Sequence, residues 1–173
     1  MSFSIVVAAT EKMGIGSRGR LPWKLSKDLK YFKTLTTKVS DIKKQNAVIM
    51  GRVTWESLPR ALPNRLNVVL TRNEKYKTPE GVRKYVSLDD ALKALMKEST
   101  VEQIFVIGGA QIYQEAMYDI RCSAIYLTLI FQEFSHIDVY FSRISNDTFR
   151  LIERSNMQEE NGILFQHLMY IKI

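Results

Sequence analysis

The sequence predicts a single α/β domain over residues 1–173, with a mainly parallel central sheet of about eight strands, an antiparallel C-terminal hairpin and about four flanking helices. Three observations predict this class. Short apolar, β-branched runs recur along the chain with helical patterns between them. The runs VVAA and IFVI are apolar throughout, as expected of central strands that are covered on both faces. The length of 173 residues suits one domain with its own core.

The predicted elements follow the order of these runs. The first strand lies in FSIVVAA, and later strands lie in NAVIM, LNVVLT, QIFVI and AIYLTLI. Helices are predicted from Ser26, from Thr54, after Ser87 and after Gly109.

The segment VSLDDALKALMKES has the pattern of a capped helix. Ser87 is the expected N-cap, and Asp90 stands where it can complete a capping box. The apolar residues recur at helical spacing and form one stripe, which indicates a packing role: Leu88, Ala91, Leu92 and Leu95.

The C-terminal part predicts two antiparallel strands, FRLIERS and ILFQHLMYIKI. They are separated by NMQEENG, in which Asn161-Gly162 is a strong turn signal. This hairpin is expected to form one edge of the sheet.

Composition limits the function classes. The single cysteine, Cys122, excludes an internal disulfide and fits a reducing compartment, so a cytoplasmic location is predicted. The segment SFSIVVAAT is too short for a membrane span. The two histidines, His136 and His167, lack metal-ligand spacing, and no metal site is predicted. The net charge of +7 fits nucleic acid, an anionic membrane or small anionic ligands, and does not choose among them.

Asp28 is an unusual acid, because helical spacing places it on the same face as apolar residues such as Phe32 and Leu35. Two interpretations stand. With Ser26 as N-cap, Asp28 is a favourable first-turn anion beside the positive end of the helix dipole. Alternatively, it is a partly buried carboxylate that binds paired N–H donors of a ligand.

The segment GIGSRGRLPW precedes this helix. Its three glycines are compatible with a mobile lid or with an ordinary glycine-rich connection. Trp23 is expected to be an aromatic anchor whose indole N–H can hold a polar partner.

Two junctions, NAVIMGRVTWESL and QIFVIGGAQIYQEAM, pass from an apolar strand through glycine into a helix. Each exposes helix N–H groups at the carboxyl edge of the sheet, where ligands of open α/β folds bind. Arg52 and Thr54 add a cation and a hydroxyl at the first junction, and Arg72 lies nearby. The pair of junctions favours a nucleotide.

Six segments taken in order resemble the dihydrofolate reductase family: GIGSRGRLPW, SKDLKYFK, VIMGRVTWESLP, LPNRLNVVLTR, FVIGGAQIYQEAM and IYLTLI. The resemblance covers nearly the whole chain. It implies NADPH-dependent reduction of 7,8-dihydrofolate to 5,6,7,8-tetrahydrofolate, by hydride transfer to C6 and protonation at N5, which supplies one-carbon and thymidylate metabolism.

The resemblance also implies roles for individual residues. Asp28 would be the only acidic group of the site and would bind the 2-amino and N3 side of the pterin, with Thr128 hydrogen-bonding behind it and an ordered water near Trp23 as proton donor. These three form the implied catalytic set. The implied substrate-binding residues are Val6, Val7, Asp28, Leu29, Phe32, Ser57, Leu58, Leu62, Arg65 (for the carboxylate of the glutamate tail), Ile107, Tyr113 and Thr128.

For NADPH, the family pattern implies a nicotinamide floor, two helix starts near the pyrophosphate, and Thr71 and Arg72 beside the 2′-phosphate. The implied cofactor-binding residues are Ala8, Ile15, Gly16, Ser17, Gly51, Arg52, Val53, Thr54, Leu70, Thr71, Arg72, Ser87, Ile107, Gly108, Gly109, Ala110, Gln111, Ile112 and Tyr113.

Three positions depart from the common pattern of the family: Arg20 before LPW, Ser142 where proline is common, and Gln111 where some relatives have a basic residue. Asp138 remains where relatives place an acid that contacts the lid. These departures concern lid motion and cofactor contacts rather than the reaction.

Two alternative functions stay open from the residues. A pyrimidine reductase of riboflavin synthesis would share the fold and NADPH, but would not need LPW followed by Asp28. A nucleic-acid-binding protein would need a basic stripe with exposed aromatics. The expected partners are dihydrofolate and antifolate inhibitors, with no metal, membrane or nucleic acid. The chain is expected to be a monomer, or the reductase part of a fusion with thymidylate synthase; Met1 and the final strand favour a complete chain.

Overall fold

The computed structural model describes residues 1–173 and contains eleven strands and four helices. The strands are β1 Phe3–Thr10, β2 Gly14–Gly16, β3 Gln45–Gly51, β4 Arg65–Leu70, β5 Arg83–Tyr85, β6 Val101–Val106, β7 Cys122–Ile130, β8 Val139–Tyr140, β9 Phe149–Arg154, β10 Gln158–Glu160 and β11 Ile163–Lys172. The helices are α1 Ser26–Thr37, α2 Arg52–Ser57, α3 Leu88–Leu95 and α4 Ala110–Tyr118.

The main sheet has the order β10-β11-β7-β1-β6-β3-β4-β5, and β9 pairs with the same edge of β11 as β10. The strands from β7 to β5 pair in parallel, whereas β11 pairs antiparallel with β7, β9 and β10. Since β9 and β10 share one edge, the sheet has eight strand positions, and the predicted α/β class with four helices is confirmed. The apolar runs in β1 and β6 are the central, fully covered strands.

Helices cover both faces of the sheet. The larger core packs the sheet against the apolar stripe of α3 and the inner face of α4, including Leu92 and Ala116. The smaller core packs the other face against α1 and α2 through side chains such as Phe32, Leu35 and Trp55. The carboxyl ends of the parallel strands therefore open between two layers of helices, which is where α/β folds bind ligands.

The start of α1 differs from the prediction. Leu25 occupies the N-cap position without a side-chain cap, and Ser26 is the first helical residue. The carboxylate of Glu160 in β10 instead accepts hydrogen bonds from the backbone N–H groups of Ser26 (2.6 Å) and Lys27 (2.8 Å). A distant acid thus supplies the acceptor that the prediction assigned to Ser26. These N–H groups lower the pKa of Glu160.

The other helix starts follow the sequence more closely. Ser87 caps α3 by accepting from the N–H of Asp90 at 3.1 Å, as predicted, although the reciprocal bond of a capping box is not formed. Helix α2 begins at Arg52, two residues before the predicted Thr54, because the strand passes into the helix directly after Gly51.

The C-terminal hairpin is confirmed with one change. Asn161 and Gly162 adopt left-handed φ values of 53° and 78°, which suits a tight Asn-Gly turn. This turn joins β11 to the short strand β10 rather than directly to β9. The edge therefore has two segments, and Glu160 lies in the one that reaches α1.

None of the four helices is long and apolar enough to cross a bilayer. No group of three or more histidine, cysteine, aspartate or glutamate side chains is arranged to hold a metal ion.

Candidate active site

One large cleft, of about 1430 Å³, opens at the carboxyl ends of the parallel strands. Its walls come from β1, from α1, and from the junctions that follow β3, β4 and β6. The lining includes nearly all residues that the resemblance implied. Those found in the lining are Val6, Val7, Ala8, Ile15, Gly16, Asp28, Leu29, Phe32, Gly51, Arg52, Val53, Thr54, Ser57, Leu58, Leu62, Leu70, Thr71, Arg72, Ser87, Ile107, Gly108, Gly109, Ala110, Gln111, Ile112, Tyr113 and Thr128.

Three implied residues lie outside this lining: Ser17, Trp23 and Arg65. Other residues join it without having been predicted: Gly19, Arg20, Leu21, Tyr31, Glu56, Val86, Leu88, Glu115 and Val139. Because Glu56 and Glu115 line the cleft, Asp28 is not its only acidic residue. The side chains of Glu56 and Glu115 are exposed, and Glu56 also forms an ion pair with Arg52. Asp28 differs from both because its side chain is only 15% exposed.

Asp28 lies in the first turn of α1, with its side chain only 15% exposed. The hydroxyl of Thr128 in β7 donates to Asp28 Oδ1 at 2.7 Å. Residues of the apolar stripe, including Phe32 and Leu35, pack against the sheet and fix the face of α1 that carries the carboxylate. The helix start and the hydroxyl together stabilise a half-buried anion at the inner end of the cleft.

His167 of β11 is a site residue that the sequence reasoning missed. Its Nε2 lies 3.1 Å from Asp28 Oδ1, and its ring stacks on Tyr31 with centroids 3.6 Å apart. Burial, with further contributions from Tyr126, Asp28 and Glu153, raises the pKa of Tyr31 to about 12. The only signal in the sequence was the strand itself, since the register that pairs His167 with Thr128 is known only from the structure.

The middle of the cleft is apolar. Leu29 projects into the opening with 55% exposure, and the opposite wall is formed by half-buried side chains. These are Leu58, Leu62 and Ile107. A flat aromatic ligand can fill this space, because the two walls offer apolar contact to both faces of its ring.

Arg65 lies beside the cleft rather than in its lining. Its guanidinium donates to the carbonyl of Pro63 through Nε (2.9 Å) and to the Thr36 hydroxyl through Nη1 (3.0 Å), and lies over the ring of Phe32. Nη2 has no protein acceptor, and because no buried side-chain nitrogen lacks a partner, this edge is accessible. Burial lowers the pKa of Arg65.

The glycine-rich segment forms β2, which pairs with β8. Ser17 donates through its hydroxyl to the carbonyl of His136, and the N–H of Arg18 donates to Asp138 Oδ2 at 3.0 Å. Asp138 therefore contacts the glycine-rich segment, for which a lid and an ordinary connection were both open. Trp23, which follows that segment, is buried against Phe134.

The outer end of the cleft carries cations and helix N–H groups. Arg72 is exposed and forms no ion pair, whereas Arg52 is paired with Glu56 at 2.8 Å. Helix α4 begins after Gly109 without a side-chain cap, so the N–H groups of its first turn face the cleft unpaired by a side chain. This donor set suits a phosphate-bearing ligand.

Gly108 is required at the base of this end. Its φ is +125°, and a Cβ there would approach the ring of Tyr113 to 3.3 Å. The peptide between Gly108 and Gly109 is cis. The hydroxyl of Tyr113 donates to the carbonyl of Val6 at 2.7 Å, which ties α4 to the central strand.

Comparisons with known proteins agree with this geometry. The family model described as dihydrofolate reductase matches residues 2–172. The dihydrofolate reductase of Drosophila melanogaster is 42% identical over 176 residues, covering 96% of each chain, and that of Heliothis virescens is 40% identical over 183 residues, covering 100% of this chain and 98% of its own. The bifunctional dihydrofolate reductase-thymidylate synthase of Daucus carota is 42% identical over 180 residues, which cover 99% of this chain and 34% of that protein.

Proposed function

Because the chain belongs to the dihydrofolate reductase family, we propose that its cleft reduces 7,8-dihydrofolate to 5,6,7,8-tetrahydrofolate with NADPH as the hydride donor. The observation that carries the proposal is the half-buried carboxylate of Asp28, held by Thr128 at the inner end of a cleft whose outer end is cationic. A reductase of this kind must bind the flat, polar-edged ring of its substrate at one end of the cleft and a phosphorylated nucleotide at the other.

The substrate ring would bind at the inner end. Asp28 Oδ1 accepts the hydrogen bond from Thr128, while Oδ2 has no protein partner and remains to accept N–H groups of the pterin. Leu29 and Phe32 would pack against the ring and the aminobenzoyl group. The accessible edge of the Arg65 guanidinium would bind the carboxylate of the glutamate tail, which extends past Phe32.

The residues of the outer end fit NADPH by the chemistry of their donors. Thr71 and Arg72 would bind the 2′-phosphate, and the first turn of α4, with Arg52 and Thr54, would bind the pyrophosphate. Ala8, Ile15 and Tyr113 would form the floor for the nicotinamide. The set of arginines favours NADPH over NADH, because NADH lacks the 2′-phosphate.

The reaction requires hydride transfer to C6 and protonation of N5. The hydride that NADPH supplies when bound reduces C6 of the pterin. The protein orients the ring through Asp28, covers it with apolar side chains, and stabilises the positive charge that protonation brings to the pterin. Trp23 lies outside the cleft lining, and we propose that its indole N–H, which has no protein acceptor, would bind the ordered water that delivers the proton to N5.

The partners of the chain follow from the same family. Antifolates that mimic the pterin would compete at Asp28. The plant relatives are fusions with thymidylate synthase, and we propose that this chain acts as a monomer or as the reductase part of such a fusion.

Burial raises the pKa of the Cys122 thiol to about 11, so this cysteine is unreactive, which is compatible with the cytoplasmic location that we propose.

The experiment is the loss of NADPH absorbance after dihydrofolate is added, repeated with NADH and with Asp28→Asn. We expect rapid oxidation by the wild type, slower oxidation with NADH, and a rate for Asp28→Asn that is lower by about a hundredfold, because the amide cannot stabilise the developing positive charge. An unchanged rate of Asp28→Asn at saturating dihydrofolate would refute the role of Asp28. No oxidation by folded wild-type protein would refute the proposed reaction.

A further inference from the structure

The contacts of His167 point to the ring nitrogen that carries the proton in the neutral imidazole. The amide nitrogen of Gln158, which can only donate, lies 3.2 Å from His167 Nδ1. Nδ1 therefore accepts, and in the neutral ring the proton is on Nε2. Nε2 lies 3.1 Å from Asp28 Oδ1 and donates to it.

The ring is also held in one orientation. It stacks on Tyr31 with an interplanar angle of 12°, and Phe165 packs edge-on against it with the ring centroids 5.8 Å apart. The backbone of His167 is fixed from the other side, because its N–H donates to the Ser155 hydroxyl at 2.9 Å and its carbonyl accepts from the Ser155 N–H at 2.8 Å. Only 10% of the side chain is exposed.

These contacts divide the two oxygens of the Asp28 carboxylate. Thr128 and His167 both donate to Oδ1, from opposite strands of the pair β7 and β11. Oδ2 receives no hydrogen bond from the protein, and it is accessible, since no buried side-chain oxygen lacks a partner. Oδ1 therefore accepts hydrogen bonds from the protein, and Oδ2 is available to accept them from a ligand in the cleft.

We propose that His167 is a positioning residue, which holds the Asp28 carboxylate by an Nε2–H hydrogen bond so that Oδ2 faces the substrate. The inference rests on the proposed function, and it assigns Gln158 the further task of selecting the histidine tautomer. Removing the donor lets the carboxylate rotate, so the bound pterin loses its fixed partner.

The charged and titratable groups around the ring come from several elements. Asp28 and Tyr31 face it from α1, and β10 contributes only the neutral amide of Gln158. Burial, and to a lesser extent Tyr126 of β7, Asp28 and Glu153 of β9, raise the pKa of the Tyr31 phenol to about 12. Asp28 is therefore the one charged group in direct contact with the ring.

The first test reads the tautomer in the free protein, without activity. Histidine ring nitrogens are labelled, and their NMR shifts distinguish Nε2–H from Nδ1–H. The chain has only two histidines, so His136→Asn, which suits the left-handed φ at that position, assigns the signals. The neutral ring of His167 is expected as the Nε2–H tautomer, and an Nδ1–H tautomer would overturn the proposal.

The second test compares His167→Phe with His167→Gln. Phenylalanine keeps the stack on Tyr31 but has no donor, whereas glutamine restores an N–H close to the position of Nε2. We expect His167→Phe to lower the hydride-transfer rate about tenfold, as loss of a hydrogen bond to a charged group does, and His167→Gln to recover most of it.

The affinity for NADPH separates positioning from general damage. His167 is not part of the cleft lining, so the Kd of NADPH should stay within about twofold in both variants. A wild-type rate in His167→Phe, or no recovery in folded His167→Gln, would refute the positioning role. An inactive wild type with the Nε2–H tautomer would instead refute the proposed reaction and leave the hydrogen-bond assignment standing.

Discussion

The two ends of the cleft handle charge in different ways. At the inner end, defined by Asp28, Thr128 and His167, a carboxylate that is 15% exposed receives two donated hydrogen bonds from the sheet. At the outer end, defined by Arg52, Thr71 and Arg72, the cations are exposed, and only Arg52 has an ion-pair partner. A half-buried charge must be held by the protein before the ligand arrives, whereas exposed cations are stabilised by water until then.

Because of this difference, the effects of substitutions at the two ends should depend differently on salt concentration. Substitutions at the inner end should act through short contacts that salt screens little. Substitutions at the outer end should act through long-range attraction that salt screens strongly. Paired substitutions at the two ends measure this contrast.

The largest of these effects is expected for Thr128→Val at the inner end. Valine has nearly the same shape but cannot donate, so Asp28 Oδ1 keeps His167 alone. We expect steady-state turnover of dihydrofolate to fall by about tenfold, with little dependence on ionic strength. Thr100→Val, an exposed threonine outside the cleft, is the matched control and should leave turnover unchanged. A loss that shrinks as salt is added would contradict the comparison.

A smaller effect is expected for Arg72→Ala at the outer end. The Kd of NADPH should rise by about fivefold at low salt, as expected for one partly exposed charge-assisted contact, and the difference should shrink as salt is added. The Kd of NADH should change much less, because it has no 2′-phosphate. Arg150→Ala, which removes the same charge from the exposed side of β9, controls for net charge. Equal losses for both nucleotides would show that Arg72 does not bind the 2′-phosphate.

The smallest effect concerns the helix that carries Asp28. The pKa of Glu160 is lowered by the N–H groups of Lys27 and Ser26, so its contribution to stability is present above the ordinary pKa of glutamate and is lost as the pH falls. Glu160→Gln should therefore unfold at a slightly lower temperature than the wild type at neutral pH, and the two should converge below about pH 3. Thermal unfolding across pH measures this.

The neighbouring Glu159→Gln removes the same charge without touching the helix N–H groups, and it should follow the wild type. A difference in unfolding temperature between Glu160→Gln and the wild type that persists in acid would mean that the carboxylate does not act through its charge.

The extent of the prediction from sequence can be judged from particular residues. The strands, the stripe of α3 and the cap at Ser87 were predicted because their signals lie within a few residues of one another. The position of Asp28 in the cleft followed from helical spacing and from the ordered motifs. The short strands β2, β5, β8 and β10 were missed, because three residues or fewer carry no period and depend on tertiary pairing.

The misses at the site have the same origin. Ser26 was expected to cap α1, but the acceptor is Glu160, 134 positions away. His167 contacts Asp28 across 139 positions, and only the register of β11 on β7 brings them together. The predicted strand LNVVLT begins one residue after Arg65, whereas β4 begins at Arg65. The donation of Arg65 to Thr36 depends on the path of α1 above it. Local patterns cannot specify contacts of this range.

The edge that β9 and β10 form along β11 is completed late in synthesis. Glu160 holds the start of α1, Gln158 contacts His167, and His167 contacts Asp28, so one short stretch of chain completes the setting of the acid. A ribosome adds Asp28 first and reaches His167 only 139 residues later. A nascent chain can therefore form the parallel strands and the outer end of the cleft while Asp28 still lacks its histidine, and the carboxylate is among the last parts of the domain to acquire its final surroundings.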